Sequence, residues 1–114
     1  MGVKINGISE MKRALEKQAK VEQMVSSVVK LNGAELQQKA QRNAPVDTGN
    51  LRRSINLSIK DAGMTAEVTA MADYSGYVEY GTRFMNAQPF MAPAFNVQKD
   101  IFIDDLKRVL ENGG

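Results

Sequence analysis

The feature that most constrains the fold is a change of hydrophobic period at a cluster of turn formers in mid-chain. Before this cluster, apolar residues recur at the three-, four- and seven-residue spacings of a helix; after it, they alternate with polar residues as in a strand. The cluster, APVDTGN at residues 44–50, contains Pro45, which stops a helix, and Gly49, which can take a positive φ. A helix followed by strands predicts an α+β fold.

The long N-terminal helix is predicted over residues 9–43. Ser9 suits the N-cap and Glu10 the first turn, and the polar face is rich in Lys, Glu and Gln. Gly33 costs about 1 kcal/mol in a helix interior, so the pattern is also compatible with a kink at that glycine. The helix should end before Pro45.

The alternation predicts a small antiparallel sheet made of one hairpin. Residues 51–60 place mostly apolar side chains on one face and polar ones on the other, residues 61–63 form the turn, and residues 64–71 alternate again. The second strand carries small side chains on one face, which suggests that a helix covers that face closely.

The rest of the chain is predicted to hold a short helix and a C-terminal helix. Residues 73–82 suit a short helix with Asp73 as its N-cap and Gly81 as the residue that ends it. The last helix is expected to begin near Pro93, because proline is tolerated in a first turn. With 114 residues, the chain has the length of one domain.

The composition argues against an enzyme. The chain has no cysteine and no histidine, which excludes thiolate nucleophiles, Cys/His zinc sites and histidine bases. Asp104 and Asp105 are adjacent on a predicted helix and therefore point in different directions. We expect no catalytic residues, no metal site and no cofactor.

Glu79 is the one carboxylate among aromatic residues, and it admits two interpretations. If burial raised its pKa, it would be a candidate base. The favoured interpretation is structural, with Arg83 or Arg52 as its ion-pair partner.

The charge of the chain is nearly balanced, with 15 basic and 13 acidic residues. The only local excess of positive charge lies in residues 39–53, which contain one acidic residue, Asp47, and four basic residues: Lys39, Arg42, Arg52 and Arg53. Phosphate contact at this cluster and a solvated loop are the two interpretations, and the solvated loop is favoured. No apolar run approaches the ~20 residues that span a bilayer, and no secretion signal is evident at the start. The sequence therefore predicts a protein that remains in the cytoplasm where it is made.

Aromatic residues are concentrated late in the chain. Six of the seven fall between residues 74 and 95. A core cluster is the favoured interpretation; the alternative is a subunit interface, because aromatic and Met side chains are enriched there. The residues expected at such an interface are Phe84, Met85, Pro89, Phe90, Met91 and Pro93.

Three motifs resemble those of the head–tail joining, or tail-completion, proteins of long-tailed bacteriophages. They are APVDTGNLRRSI at residues 44–55, YVEYGT at residues 77–82 and QPFMAPA at residues 88–94. Ala92 departs from the pattern, since arginine is common there, which puts any specific contact of that side chain in doubt. The order and spacing of the three motifs carry the resemblance, which covers roughly residues 8–110.

The resemblance implies a structural virion protein of the phage neck. Such a protein forms a homo-oligomeric ring, even where the isolated chain is a monomer, between the head connector or stopper and the tail-tube or tail-terminator protein. DNA passes through without sequence-specific binding, no membrane is involved, and assembly takes place in the cytoplasm of the bacterial host.

The resemblance also implies structural roles for two groups of residues. The turn between helix and strand is assigned to Pro45, Asp47, Thr48, Gly49 and Arg52. A node that fixes the short helix and its exit is assigned to Tyr77, Glu79, Tyr80, Gly81 and Thr82.

Three alternatives stay open at this point. The chain can be a tail terminator or minor capsid protein of the same particle, because sequence separates these positions poorly. It can be a small DNA-binding module that uses the basic residues 39–53, which predicts steeply salt-dependent binding. A hydrolase or an enzyme-regulatory subunit is the least favoured.

Overall fold

The computed structural model describes residues 1–6, 19–45 and 49–112 and confirms the α+β class. The long N-terminal helix and the C-terminal helix are both present, whereas the predicted N-cap at Ser9 lies outside the described residues. In chain order the elements are β1 (Gly2–Asn6), α1 (Ala19–Asn43), α2 (Asn50–Arg53), β2 (Ile55–Lys60), a 3₁₀ turn (Asp61–Gly63), β3 (Thr65–Ala70), α3 (Ser75–Tyr80) and α4 (Met91–Asn112).

The sheet has three antiparallel strands in the order β1-β3-β2, so the prediction of a two-stranded hairpin was incomplete. Strand β1 pairs with β3 in a register that places Val3 opposite Val68 and Ile5 opposite Ala66. The hairpin itself is confirmed, with Leu57 on the other side of Val68. Strand β1 escaped prediction because five residues give too short an alternation to identify a strand without its partner.

Residues 51–53 are helical, which corrects the predicted start of the first strand. They belong to α2, a single turn that follows Gly49 at φ 75°. Leu51 is buried in this turn, and the Ser54 N–H donates to Asn50 O over 3.0 Å. Arg53, the polar residue on the predicted apolar face, was the sign that the alternation begins only at Ile55.

The short helix and the last helix begin close to the predicted positions. Tyr74 occupies the N-cap position of α3, without a side-chain capping bond, so the assignment of Asp73 was wrong by one residue. Gly81 ends α3 as predicted. Helix α4 begins at Met91, which places Pro93 in its first turn, where the missing N–H costs no hydrogen bond.

Helices α1 and α4 run antiparallel and cover one face of the sheet. Residues from the start of α1 pack with residues from the end of α4, and the end of α1 packs with the start of α4. Helix α1 continues through Gly33, where an added Cβ would lie 2.7 Å from the Ala66 Cβ and 3.0 Å from Leu57 Cδ1. The glycine therefore allows the close approach of helix and sheet that the small residues of β3 predicted.

The opposite face of the sheet is polar. At its centre, Glu67 forms ion pairs with Lys60 at 2.6 Å and Lys4 at 3.3 Å. The asymmetry between the two faces fixes the strand register, since a shift by one residue would expose the core side chains. In the described part of the chain, no helix is long and apolar enough to cross a membrane.

Candidate assembly surface

Helix α3 and the turn that follows it display large apolar side chains to solvent. We call residues 74–85 the aromatic segment. The exposed fractions are 62% for Tyr77, 76% for Tyr80 and 89% for Phe84, with Tyr74 and Met85 also exposed. Large exposed aromatic side chains in one short segment are typical of surfaces that bind other proteins.

The aromatic segment is anchored to the core by Glu79. The carboxylate is buried and accepts three backbone N–H groups at the start of α4: Oε1 from Phe90 at 3.0 Å and from Met91 at 2.8 Å, and Oε2 from Ala92 at 3.1 Å. These amides are among those that a helix leaves without intrahelical partners. A negative charge is favoured there by the helix dipole. A side chain from α3 thus caps the N-terminus of α4.

The predicted pairing of Glu79 with an arginine was wrong. Arg52 Nε instead donates to Gln41 O over 2.9 Å, which ties α2 to α1. The Arg83 guanidinium lies over the Phe84 ring, 5.3 Å from its centroid. The sequence identified Glu79 as a candidate buried carboxylate but not its partners, because nearly every residue has a backbone N–H and residue type does not show which of these groups will bind it.

Gly81 turns the chain out of α3 in a conformation that suits only glycine. Its φ is 78° and its ψ 176°, a region essentially restricted to glycine. An added Cβ would lie 2.7 Å from Ala87 N and 2.9 Å from Met85 O, both backbone atoms. The Gly81 N–H also donates to Tyr77 O over 2.8 Å, which closes the helix.

A tight turn at residues 82–85 presents the most exposed aromatic side chain. The Thr82 N–H donates to Met85 O over 2.9 Å, and the Phe84 N–H donates to Thr82 Oγ1 over 3.1 Å. Further on, the Gln88 N–H donates to Val78 O over 2.8 Å and returns the chain to α3. The backbone around Phe84 is therefore held by hydrogen bonds although its side chain is exposed.

The residues expected at a subunit interface separate into two groups. Phe84, Met85, Pro89 and Pro93 are exposed, whereas Phe90 and Met91 are fully buried in the core of the protein itself. The core interpretation is confirmed for Phe90 and Met91, whereas the subunit-interface interpretation stays a prediction for the exposed group. Only the exposed group remains available to a neighbour.

The first two motifs meet across an open groove of about 360 Å³. Pro45 and Leu51 come from the first motif and Val78 from the second, while Asp47 and Thr48 lie outside the described residues. Its lining is Pro45, Asn50, Leu51, Tyr74, Val78, Met85 and Gln88. The described part of the first motif thus lies beside the aromatic segment.

The basic residues of the mid-chain cluster are largely engaged within the protein. Lys39 donates to Gln98 Oε1, Arg52 to Gln41 O, and Arg53 to Asn50 Oδ1 at 2.7 Å. Arg42 is exposed. Lys39 and Arg42 lie in α1, and Arg52 and Arg53 lie in α2, so these four residues belong to helices rather than to a solvated loop. Side chains held within the protein, such as those of Lys39 and Arg52, are poorly placed to grip phosphates.

A buried polar network between α1 and α4 was not predicted. Asn32 and Gln98 are fully buried, and Gln98 Nε2 donates to Asn32 Oδ1 at 2.6 Å and to Glu35 Oε1 at 2.9 Å. Asn32 Nδ2 in turn donates to Asp105 Oδ2 at 3.0 Å. Each residue resembles an ordinary polar position of an amphipathic helix, so only the helix pairing reveals the network.

Together, these features define a small α+β protein in which hydrogen bonds hold an exposed aromatic segment against the start of α4. The chain belongs to the HK97-gp10-like family, described as "Bacteriophage HK97-gp10, putative tail-component", whose sequence profile matches residues 9–81. This match confirms the resemblance to phage proteins, and the chain is therefore assigned to a family of phage tail components. The third motif, at residues 88–94, lies beyond the matched region. No match was found among curated proteins or solved structures.

Proposed function

We propose that this tail component acts at the neck of the particle, where it joins the head connector to the tail as a ring around the DNA channel. The observation that carries the proposal is the exposure of Phe84 on a backbone held by hydrogen bonds, in a segment that Glu79 anchors to the core. A pre-organised apolar surface binds a partner without the entropic cost of ordering a loop. We assign no catalytic activity to the protein.

The partners in this proposal are other virion proteins. The head connector or stopper lies on one side of the ring and the tail-tube or tail-terminator protein on the other, with assembly in the host cytoplasm. The net charge of only +2, and the contacts of Lys39 and Arg52 within the protein, support a channel through which DNA moves without being held.

The position in the particle is tested by deleting the gene from a phage that carries it and imaging the lysate by electron microscopy. We expect filled heads beside separate tails of normal length. Joined, infectious particles would refute the neck assignment. Tails of abnormal length would instead place the chain at the tail terminator, and defective heads would make it a minor capsid protein.

The contribution of the aromatic segment is tested by complementing that deletion with a Phe84→Ala variant. We expect joined particles to be lost, because truncation of an aromatic side chain that acts as a binding hot spot costs about 2 kcal/mol or more. The matched control is Val97→Ala, which shortens another exposed apolar side chain, on α4. Full complementation by Phe84→Ala would exclude this side chain from the joining contact.

A further inference from the structure

Among the described residues, no strand pairs with the outer side of β2, which therefore lies at one edge of the sheet. The Met71 N–H donates to Ser54 O over 3.0 Å, which continues the ladder between β2 and β3. Ladder hydrogen bonds recur at every second residue of a strand, so the backbone N–H and C=O groups of Asn56, Ser58 and Lys60 bond to β3. The N–H and C=O groups of Leu57 and Ile59 therefore point outward.

A side-chain contact supports this direction and limits the length of the open edge. Gln37 Nε2 donates to Ile55 O over 2.9 Å, so the Ile55 carbonyl also points outward but is already covered. Within residues 1–6, 19–45 and 49–112, no hydrogen bond reaches the outward groups of Leu57 and Ile59. An added strand can therefore pair from Leu57 onward.

Within the part of the chain that the structure describes, no strand pairs with the outer side of β1, which offers the complementary edge of the sheet. The Ala70 N–H donates to Met1 O over 2.9 Å, which extends the ladder between β1 and β3. By the same alternation, the backbone groups of Gly2 and Lys4 point away from β3. Open edges of this kind pair readily with another strand unless something blocks them.

We propose that the ring is built by pairing β2 of one copy with β1 of the next copy. This proposal rests on the proposed function and adds to it the contact between neighbouring copies. Both strands are antiparallel to β3, so they run in the same direction and pair as parallel strands when copies repeat around an axis. In the register that keeps the apolar faces together, Leu57 lies opposite Val3 of the next copy. The Leu57 N–H then donates to Gly2 O, and Leu57 O accepts from the Lys4 N–H.

The side chains of the two edges are compatible in this register. On the helix-covered face, Ile59, which is 38% exposed in the single chain, lies opposite Ile5 of the next copy. On the polar face, Ser58 lies opposite Lys4 and Lys60 opposite Asn6, so no like charges face each other. A contact between two different edges closes into a ring without leaving a free strand, which a two-fold pairing of β2 with β2 does not achieve.

The pairing is tested with a cysteine pair, since the natural chain has no cysteine. Ser58→Cys and Lys4→Cys are introduced together into the full chain. Within one molecule these positions are separated by β3 and lie about 10 Å apart, too far for a disulfide, whose Cα atoms lie at roughly 4.4–6.8 Å. Particles that contain the variant are oxidised and examined on a denaturing gel without reductant.

We expect a ladder of covalent multimers from the double variant and monomers from either single variant. Monomers from the double variant, in particles that contain it, would overturn the pairing. Dimers from Ser58→Cys alone would also overturn it, because they report a two-fold contact between β2 strands. A ladder obtained from a chain that the deletion experiment places elsewhere would leave the pairing intact and refute only the neck position.

A proline variant supplies the second measurement. Ile59→Pro in the double-cysteine background removes an outward N–H that makes no hydrogen bond within the described residues, and proline is tolerated on edge strands. We expect the circular dichroism spectrum to be retained and the ladder to be lost, whereas Ile59→Val should keep both. A full ladder from the folded Ile59→Pro variant would contradict hydrogen bonding through this edge.

Discussion

Two buried polar anchors hold this molecule together, and they differ in what they bind. Glu79 reaches backbone amides 11 to 13 residues away and fixes the aromatic segment to the start of α4. Asn32 and Gln98 lie 66 residues apart and bind each other through their side chains, between α1 and α4. The first is a local cap made by one carboxylate, and the second is a long-range pair of amides that also bind the charged side chains of Asp105, Lys39 and Glu35.

The first contact fixes the position of an exposed surface segment, and the second aligns the two long helices of the core. Backbone donors at a helix N-terminus are present whatever the side chains are, so one carboxylate is enough to anchor a loop there. The amide pair works only when both members are present, and it favours one alignment of the two helices over shifted ones. The net contribution of the amide–amide hydrogen bond to stability is expected to be small, because this neutral bond replaces bonds to water.

The largest effect is expected from removing the cap. Glu79→Ala leaves three amides at the start of α4 without their acceptor, which should lower the free energy of unfolding by about 3 kcal/mol and the melting temperature by on the order of 10 °C. The control is Glu111→Ala, which removes an exposed carboxylate from the last turn of α4. Thermal unfolding followed by circular dichroism measures both. Equal melting temperatures for the two variants would contradict the comparison.

The next effect concerns Gly81, where the chain leaves α3 within the aromatic segment. Gly81→Val forces a β-branched side chain into a glycine-only conformation and against backbone atoms of residues 85 and 87, at a cost of about 2 to 3 kcal/mol. Gly76→Ala is the matched control, because an added Cβ there meets no described atom within 4 Å. The control should be neutral or stabilising by up to about 1 kcal/mol, since Gly76 lies in α3. An unchanged melting temperature for Gly81→Val would show that the turn relaxes without cost.

The amide pair is tested by comparing single and double substitutions. Gln98→Met leaves Asn32, Glu35 and Lys39 without their shared partner and should cost about 2 kcal/mol. Adding Asn32→Leu removes the other buried amide, so the double variant should be no less stable than the Gln98→Met single variant. Gln38→Met, at an exposed position of α1, is the control for the substitution itself. Additive losses in urea unfolding would mean that the two amides contribute independently.

Local rules were sufficient for much of this fold. The end of α1 at Asn43, the turn at Asp61–Gly63 and the end of α3 at Gly81 follow from proline, glycine and hydrophobic period. The assignment of residues 51–53 was wrong because a single helical turn and an alternating strand both bury Leu51.

What could not be predicted depends on elements that are distant in sequence. Strand β1 is recognisable only once β3 is beside it, and its five residues carry no other sign of pairing. The Glu79 carboxylate was predicted to bind an arginine, because charged side chains can be read from a sequence. That the backbone amides at the start of α4 pack beside Glu79 cannot be read from it. The Asn32–Gln98 pair requires the alignment of α1 and α4, which the apolar stripes alone leave undetermined.

The smallest effect should come from the exposed ionic contact on the polar face of the sheet. Its stability loss provides a reference for the losses expected at the two buried anchors. The hydrogen bond from Lys60, reinforced by Lys4, holds the pKa of Glu67 below its ordinary value, and the same bond raises the pKa of Lys60. A carboxyl with a depressed pKa in the folded state adds stability above its unfolded pKa and loses it as the pH falls through the folded value. Glu67→Gln should therefore be slightly less stable than the parent at neutral pH and equally stable in strong acid. The difference should also shrink in 1 M salt, where the Debye length is about 3 Å. A difference that persisted in acid and in salt would show that Glu67 acts through packing rather than charge.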